Sequence, residues 1–182
     1  MGLSSREYGY VSRLSKKIKS INYKGKKCIK CSKNNIFFLE FHHKNSKEKD
    51  VDINILLNRL SRWSDLKKEL DKCELVCRNC HKEIHYGSGG RVMALKMKLM
   101  EYKNVTCCQD CGYIGDNLGS LDFHHSDPKT KKFRIMKELN RRKNILDYIV
   151  YEVEKCEIIC SNCHVKRHAN IERYEQHKKN NI

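Results

Sequence analysis

Four C-x-x-C pairs punctuate the chain: Cys28/Cys31, Cys77/Cys80, Cys108/Cys111 and Cys160/Cys163. Two residues between thiolates let a tight turn aim both sulfurs at one ion, and two such turns complete a tetrahedron. Joining the first pair to the second and the third to the fourth links segments 46 and 49 residues apart. Each Zn²⁺ would therefore staple distant stretches of chain. Such staples are needed, because 39% hydrophobic residues, 33% charged residues and a mean hydropathy of −0.75 do not furnish one large apolar core. Eight of the eleven cysteines are used in this way. Cys73 and Cys156 stand at matching places and read as small buried hydrophobes. Cys107 has no counterpart, and its replacing Cys108 as a ligand is the alternative. A redox reading of the C-x-x-C pairs fits poorly, since redox motifs come singly on a thioredoxin-like pattern.

Charge and length exclude several classes. No run of about 18 apolar residues exists to cross a membrane. The opening MGLSSREYGYVSRL lacks the apolar stretch and cleavage site of a signal peptide, so the expected location is cytoplasmic, in a bacterium or encoded by a phage. Cysteines kept reduced there bind metal rather than form disulfides. Lys+Arg 38 against Asp+Glu 22 gives +16, and two four-thiolate zinc sites lower this only to about +12. That excess points to a polyanion, with nucleic acid ahead of an acidic membrane.

The chain is also written twice. Leu39 to His43, LEFHH, returns as Leu121 to His125, LDFHH, at an offset of 82. Lys72 to His85, KCELVCRNCHKEIH, returns as Lys155 to His168, KCEIICSNCHVKRH, at an offset of 83. This is a duplication, and it sets the expected domains: 1–86 with a basic lead, a Gly/Ser linker at 87–90, and 91–182 with a basic tail. Each half reads as helix-prone lead, C-x-x-C, a strand ending in His-His, a polar loop, a helix-prone stretch, then C-x-x-C-H-x-x-x-H. The leads run from Arg13 to Asn22 and from Arg91 to Tyr102, with Met93, Met97 and Met100 on one helical face. The fold class expected is α+β, as two tandem zinc-stabilised modules related by a pseudo-twofold.

Eight of the nine histidines join this pattern. Neighbouring strand residues point to opposite faces, so His42-His43 and His124-His125 each offer one imidazole to either side. His81 and His85, like His164 and His168, are at i and i+4 of a helix and share a face. One strand histidine plus one or two helical ones would hold a cation, leaving the other strand histidine as a base. The rival account makes all of them secondary zinc ligands in a structural cross-brace.

With those motifs the sequence resembles the HNH endonucleases, also called ββα-metal or His-Me finger nucleases, in their four-cysteine zinc subclass. The resemblance covers Cys28 to His85 and Cys108 to His168. It implies a two-stranded hairpin and a helix around one catalytic metal per half, commonly Mg²⁺ (Mn²⁺ being the alternative). It also implies His43 and His125 as general bases. His42 and His124 match the metal-ligand position, His81 and His164 the closing ligand, and His85 and His168 further ligands. The family's central Asn is replaced by Lys72 and Lys155. Asp127-Pro128 with Lys131 continues the family pattern in the second half, where the first half has Lys44-Asn45-Ser46-Lys47.

The function expected is a site-specific endonuclease, of homing or restriction type, acting on double-stranded DNA as a monomer and cutting one strand per module. Phosphate contacts would come from the lysine clusters, including Lys131. Base reading falls to Arg59, Arg62, Arg141 and Arg142, because arginine makes bidentate contacts to guanine. The alternatives are a zinc-stabilised DNA-binding protein without catalysis and a nuclease with one active module.

Overall fold

The computed structural model describes residues 4–58, 61–86, 89–141 and 146–169. Arg59, Arg142, and Gly87 and Ser88 of the expected linker lie outside the described residues. The architecture is mixed helix with small sheets. Contacts divide it into two compact units, Met1–Cys77 with His168–Ile182, and Arg78–Arg167.

In the first unit, helix α1 spans Ser5–Tyr23 and starts at a capping box in which Ser4 and Glu7 satisfy each other's backbone N–H groups. It ends where Gly25, at φ 91°, takes a left-handed turn. Strand β1 (Leu39–His43) pairs antiparallel with β2 (Cys73–Cys77), setting His42 opposite Glu74 and His43 opposite Cys73. Between them lie α2 (Ile53–Asn58) and α3 (Trp63–Asp71). Ile53, Leu57, Leu66, Leu70 and Cys73 form the core there, with Phe41 and Trp63 against it. The Tyr23 ring meets Trp63 edge-on at 5.9 Å, and Lys19 Nζ stands 4.2 Å from the Trp63 ring centre.

The second unit opens with α4 (Arg78–Tyr86), followed by α5 (Arg91–Tyr102). Strand β3 (Leu121–His125) pairs with β4 (Cys156–Cys160) in the register of the first hairpin: His124 opposite Glu157, His125 opposite Cys156. Helices α6 (Ile135–Arg141) and α7 (Leu146–Val153) connect them, and α8 (Ser161–His168) follows β4. The core gathers Leu99, Met100, Leu121, Leu139, Ile149, Ile158 and Ile159. Along α5, Met93 and Met100 are buried, whereas Met97 is 44% exposed; Lys96 takes a place in the interior instead, at 2% exposure. Its Nζ donates to the carbonyls of Leu118 (2.7 Å) and Gly119 (3.1 Å), which makes the burial tolerable. No described helix is long and apolar enough to cross a membrane.

Candidate functional site

Each C-x-x-C turn nearer the N-terminus of its half is locked to the hairpin by backbone bonds. Ser32 N–H donates to the Cys28 carbonyl and Ile29 N–H to Leu75 O; Gly112 N–H donates to Cys108 O and Gln109 N–H to Ile158 O. The residue after the second cysteine turns left-handed in both, Ser32 at φ 58° and Gly112 at φ 69°. Glycine adopts that conformation freely and serine at some cost. β2 and β4 then end in the next cysteine, and the helix after each carries the fourth.

Two four-sulfur clusters result: Cys28, Cys31, Cys77 and Cys80, and Cys108, Cys111, Cys160 and Cys163. Within each, the sulfurs lie within 4.8 Å of one another. Burial raises the Cys28 thiol, but the backbone N–H groups of Cys31, Cys77 and Lys30 more than offset it and bring it down to about 7. Cys108 is lowered in the same way by the amides of Cys160, Cys111 and Asp110 against its burial. Burial and neighbouring thiols push Cys31 up to about 11 and raise Cys163 as well. Four sulfurs so close repel one another as thiolates, and a cation relieves that repulsion. The donor set fits structural Zn²⁺, and each cluster could hold one such ion.

The histidines sort by strand face. His42 comes together with His81 and His85, and His124 with His164 and His168, each set within 4.8 Å. Nε2 of His81 and Nε2 of His85 are 3.1 Å apart, close to the spacing of two nitrogens sharing one ion at about 2.1 Å each. Burial and His81 both hold His85 below its ordinary range, toward the neutral form a metal requires. His124 meets His164 edge to face at 5.1 Å. His164 Nδ1 donates to Asp122 Oδ2 at 3.2 Å, so Nε2 is the nitrogen presented for ligation. Asp122 is itself held well below the usual carboxylate range: burial opposes this, but the His164 bond and the Lys82 ammonium prevail.

His43 and His125 take the other face. Each donates through Nε2 to a buried carboxylate at 2.8 Å, His43 to Glu69 and His125 to Glu152. Glu69 also accepts from the N–H groups of Asp50 (3.0 Å) and Val51 and from Lys72 Nζ. Glu152 accepts from Lys132 N–H (2.7 Å), Phe133 N–H and Lys155 Nζ. Although burial raises both carboxyls, these donors bring each down to about 2, so both are ionised acceptors. The Nε2 proton of each histidine is thereby assigned, and Nδ1 is its other ring nitrogen.

Sequence reasoning passed over Glu69 and Glu152, although Glu-x-x-Lys-Cys recurs at the same offset of 83. Asp122 stood in the LDFHH motif without a role. Of the expected DNA-contacting residues, Arg62 and Arg141 are exposed, with Arg141 Nη1 3.8 Å from Glu138; Lys131 is exposed at the rim of a cleft. Asn79, buried, accepts from the Asn162 N–H at 2.9 Å through its side-chain oxygen.

Comparison with protein-family models, with curated proteins and with solved structures gives no match. The functional reading therefore rests on the motifs and the geometry of the chain itself.

Proposed function

We propose that the chain is a metal-dependent DNA endonuclease of the HNH type, with one cutting site in each half. The observation that carries this is the division of each adjacent histidine pair. One member joins a three-imidazole cluster, and the other is pinned at Nε2 by a buried carboxylate that leaves Nδ1 to take a proton. A binding module has no use for that arrangement in duplicate. The cleft of about 410 Å³ lined by His125 and His164 also carries Arg78, Lys82, Lys131 and Arg134, which suits a phosphodiester.

In this reading the base withdraws a proton from water at Nδ1 as the water attacks phosphorus, while its carboxylate holds the ring in one tautomer. His42, His81 and His85 in one half, and His124, His164 and His168 in the other, would hold a cation that would supply a sink for charge on the phosphate oxygens and the leaving 3′ oxygen. The break leaves a 5′-phosphate and a 3′-hydroxyl. Three imidazoles favour Mn²⁺ or another transition ion over Mg²⁺, which prefers oxygen ligands.

One strand per half follows from an internal twofold within a monomer. The +16 charge supports double-stranded DNA as the partner. Digestion of plasmid DNA with added Mn²⁺ or Mg²⁺, and in excess EDTA, tests the reading, with strand-resolved gels for His43→Ala and His125→Ala. Cleavage should require the added ion, and each variant should lose one strand by a factor of about 10²–10⁴. Full cleavage in EDTA, or both variants cutting both strands, would overturn it.

A further inference from the structure

Helix α4 belongs by sequence to the first half, and it is folded into the second unit. Its seat there is close. A Cβ added at Gly119 would come within 2.7 Å of Tyr86 Cβ, Asn117 Nδ2 donates to the Glu83 carbonyl at 3.3 Å, and the Tyr113 hydroxyl bonds Glu83. Two cations of α4, Arg78 and Lys82, are at i and i+4 and share a face. Both line the cleft that holds His125 and His164.

Lys82 Nζ stands 2.5 Å from Asp122 Oδ1, while Asp122 Oδ2 accepts from His164 Nδ1 and from Ser161 Oγ at 2.9 Å. The α4 lysine thus holds the carboxylate that orients a candidate metal ligand. The duplication makes this one-sided. At an offset of 83, Arg78 becomes Ser161 and Lys82 becomes Val165, so α8 carries no cation at those two positions. Arg78, Lys82, Lys131 and Arg134 outnumber Asp122 as charged lining of the cleft by three. A cleft that collects cations around two histidines is built for an anion, and guanidinium groups match phosphate oxygens in a fork.

We propose that Arg78 and Lys82 form, with Arg134, a phosphodiester-binding site in the cleft of the second histidine cluster. The helix of the first half thereby completes the site of the second, and the two halves are chemically unequal. The proposal deepens the nuclease reading and rests on it for the strand it names.

The test compares wild type, Arg78→Ala, Arg78→Lys and Arg134→Ala, each verified for zinc content and melting temperature. Binding of a labelled DNA duplex is followed in EDTA across a salt series. Arg78→Ala and Arg134→Ala should each reduce the slope of log K against log salt by about 0.9, and Arg78→Lys should restore it. With metal added, Arg78→Ala should slow the strand that His125→Ala protects by about 10–100-fold and spare the other. An unchanged slope, or equal slowing of both strands, overturns the proposal. Should the wild type bind DNA and cut neither strand, the slope still decides the cleft, and only the nuclease reading falls. If no duplex binds at all, the phosphodiester site falls as well.

Discussion

Nε2 of His125 lies 2.8 Å from Oε1 of Glu152, a carboxylate 1% exposed that also gathers Lys155 and two backbone amides. His43 and Glu69 repeat the arrangement at the same distance. The carboxylate does two jobs at once: it fixes the ring's tautomer, and it ties the loop at Asp50–Val51 or Lys132–Phe133 to the hairpin.

Glu152→Gln separates these jobs. The amide keeps Oε1 for the Lys132 N–H, so the loop stays tied, but it carries no charge to stabilise the imidazolium formed when Nδ1 takes a proton. Cleavage of the strand served by His125 should fall by about 10²–10⁴ with the fold intact, and Glu69→Gln should act on the other strand. Strand-resolved rates beside thermal melts check this. A Glu152→Gln protein that cuts normally would leave Glu152 as loop anchor alone.

Two zinc ions per chain are expected from elemental analysis, one on each four-cysteine cluster. Cys160→Ser removes a ligand at the end of β4 and should release one ion and unfold the surrounding hairpin, since metal-binding energy here is folding energy. A variant as heat-stable as its parent, or a parent without zinc, would contradict the assignment.

Lys96 provides a pH test. Burial, helped by Lys82 and opposed by Asp122, lowers its ammonium to about 8. An unfolded lysine titrates near 10.4, so between pH 8 and about 10.4 the unfolded chain holds the extra proton. Stability contributed at this site should therefore rise with pH across that window and stay at its lower value below pH 8. The measurement is the stability difference between wild type and Lys96→Met at several pH values, which cancels tyrosine titration common to both. A difference independent of pH would mean that Lys96 is not desolvated as described.

The sequence alone determined the local parts of this protein. Sulfur pairs with two residues between them can aim at one ion, LEFHH and LDFHH alternate with the period of a strand, and His81/His85 and His164/His168 repeat with the period of a helix. The elements found, β1 to β4 with α4 and α8, follow from those short-range constraints. What only the tertiary structure decided was the company each side chain keeps. Glu69 and Glu152 look like ordinary surface residues of helices until the antiparallel pairing brings His43 and His125 beside them, 26 and 27 residues away in the chain. Lys96 sits on an α5 face that reads as apolar through Met93 and Met100, and its burial is tolerated because the carbonyls of Leu118 and Gly119 accept hydrogen bonds from its ammonium. Arg78 and Lys82 read as part of the first half, but α4 folds into the second unit, where the close approach of Tyr86 to Gly119 seats it. Periodicity constrains residues a turn or a strand apart. Packing joins residues tens of positions apart through shape and charge, and no local pattern records that pairing.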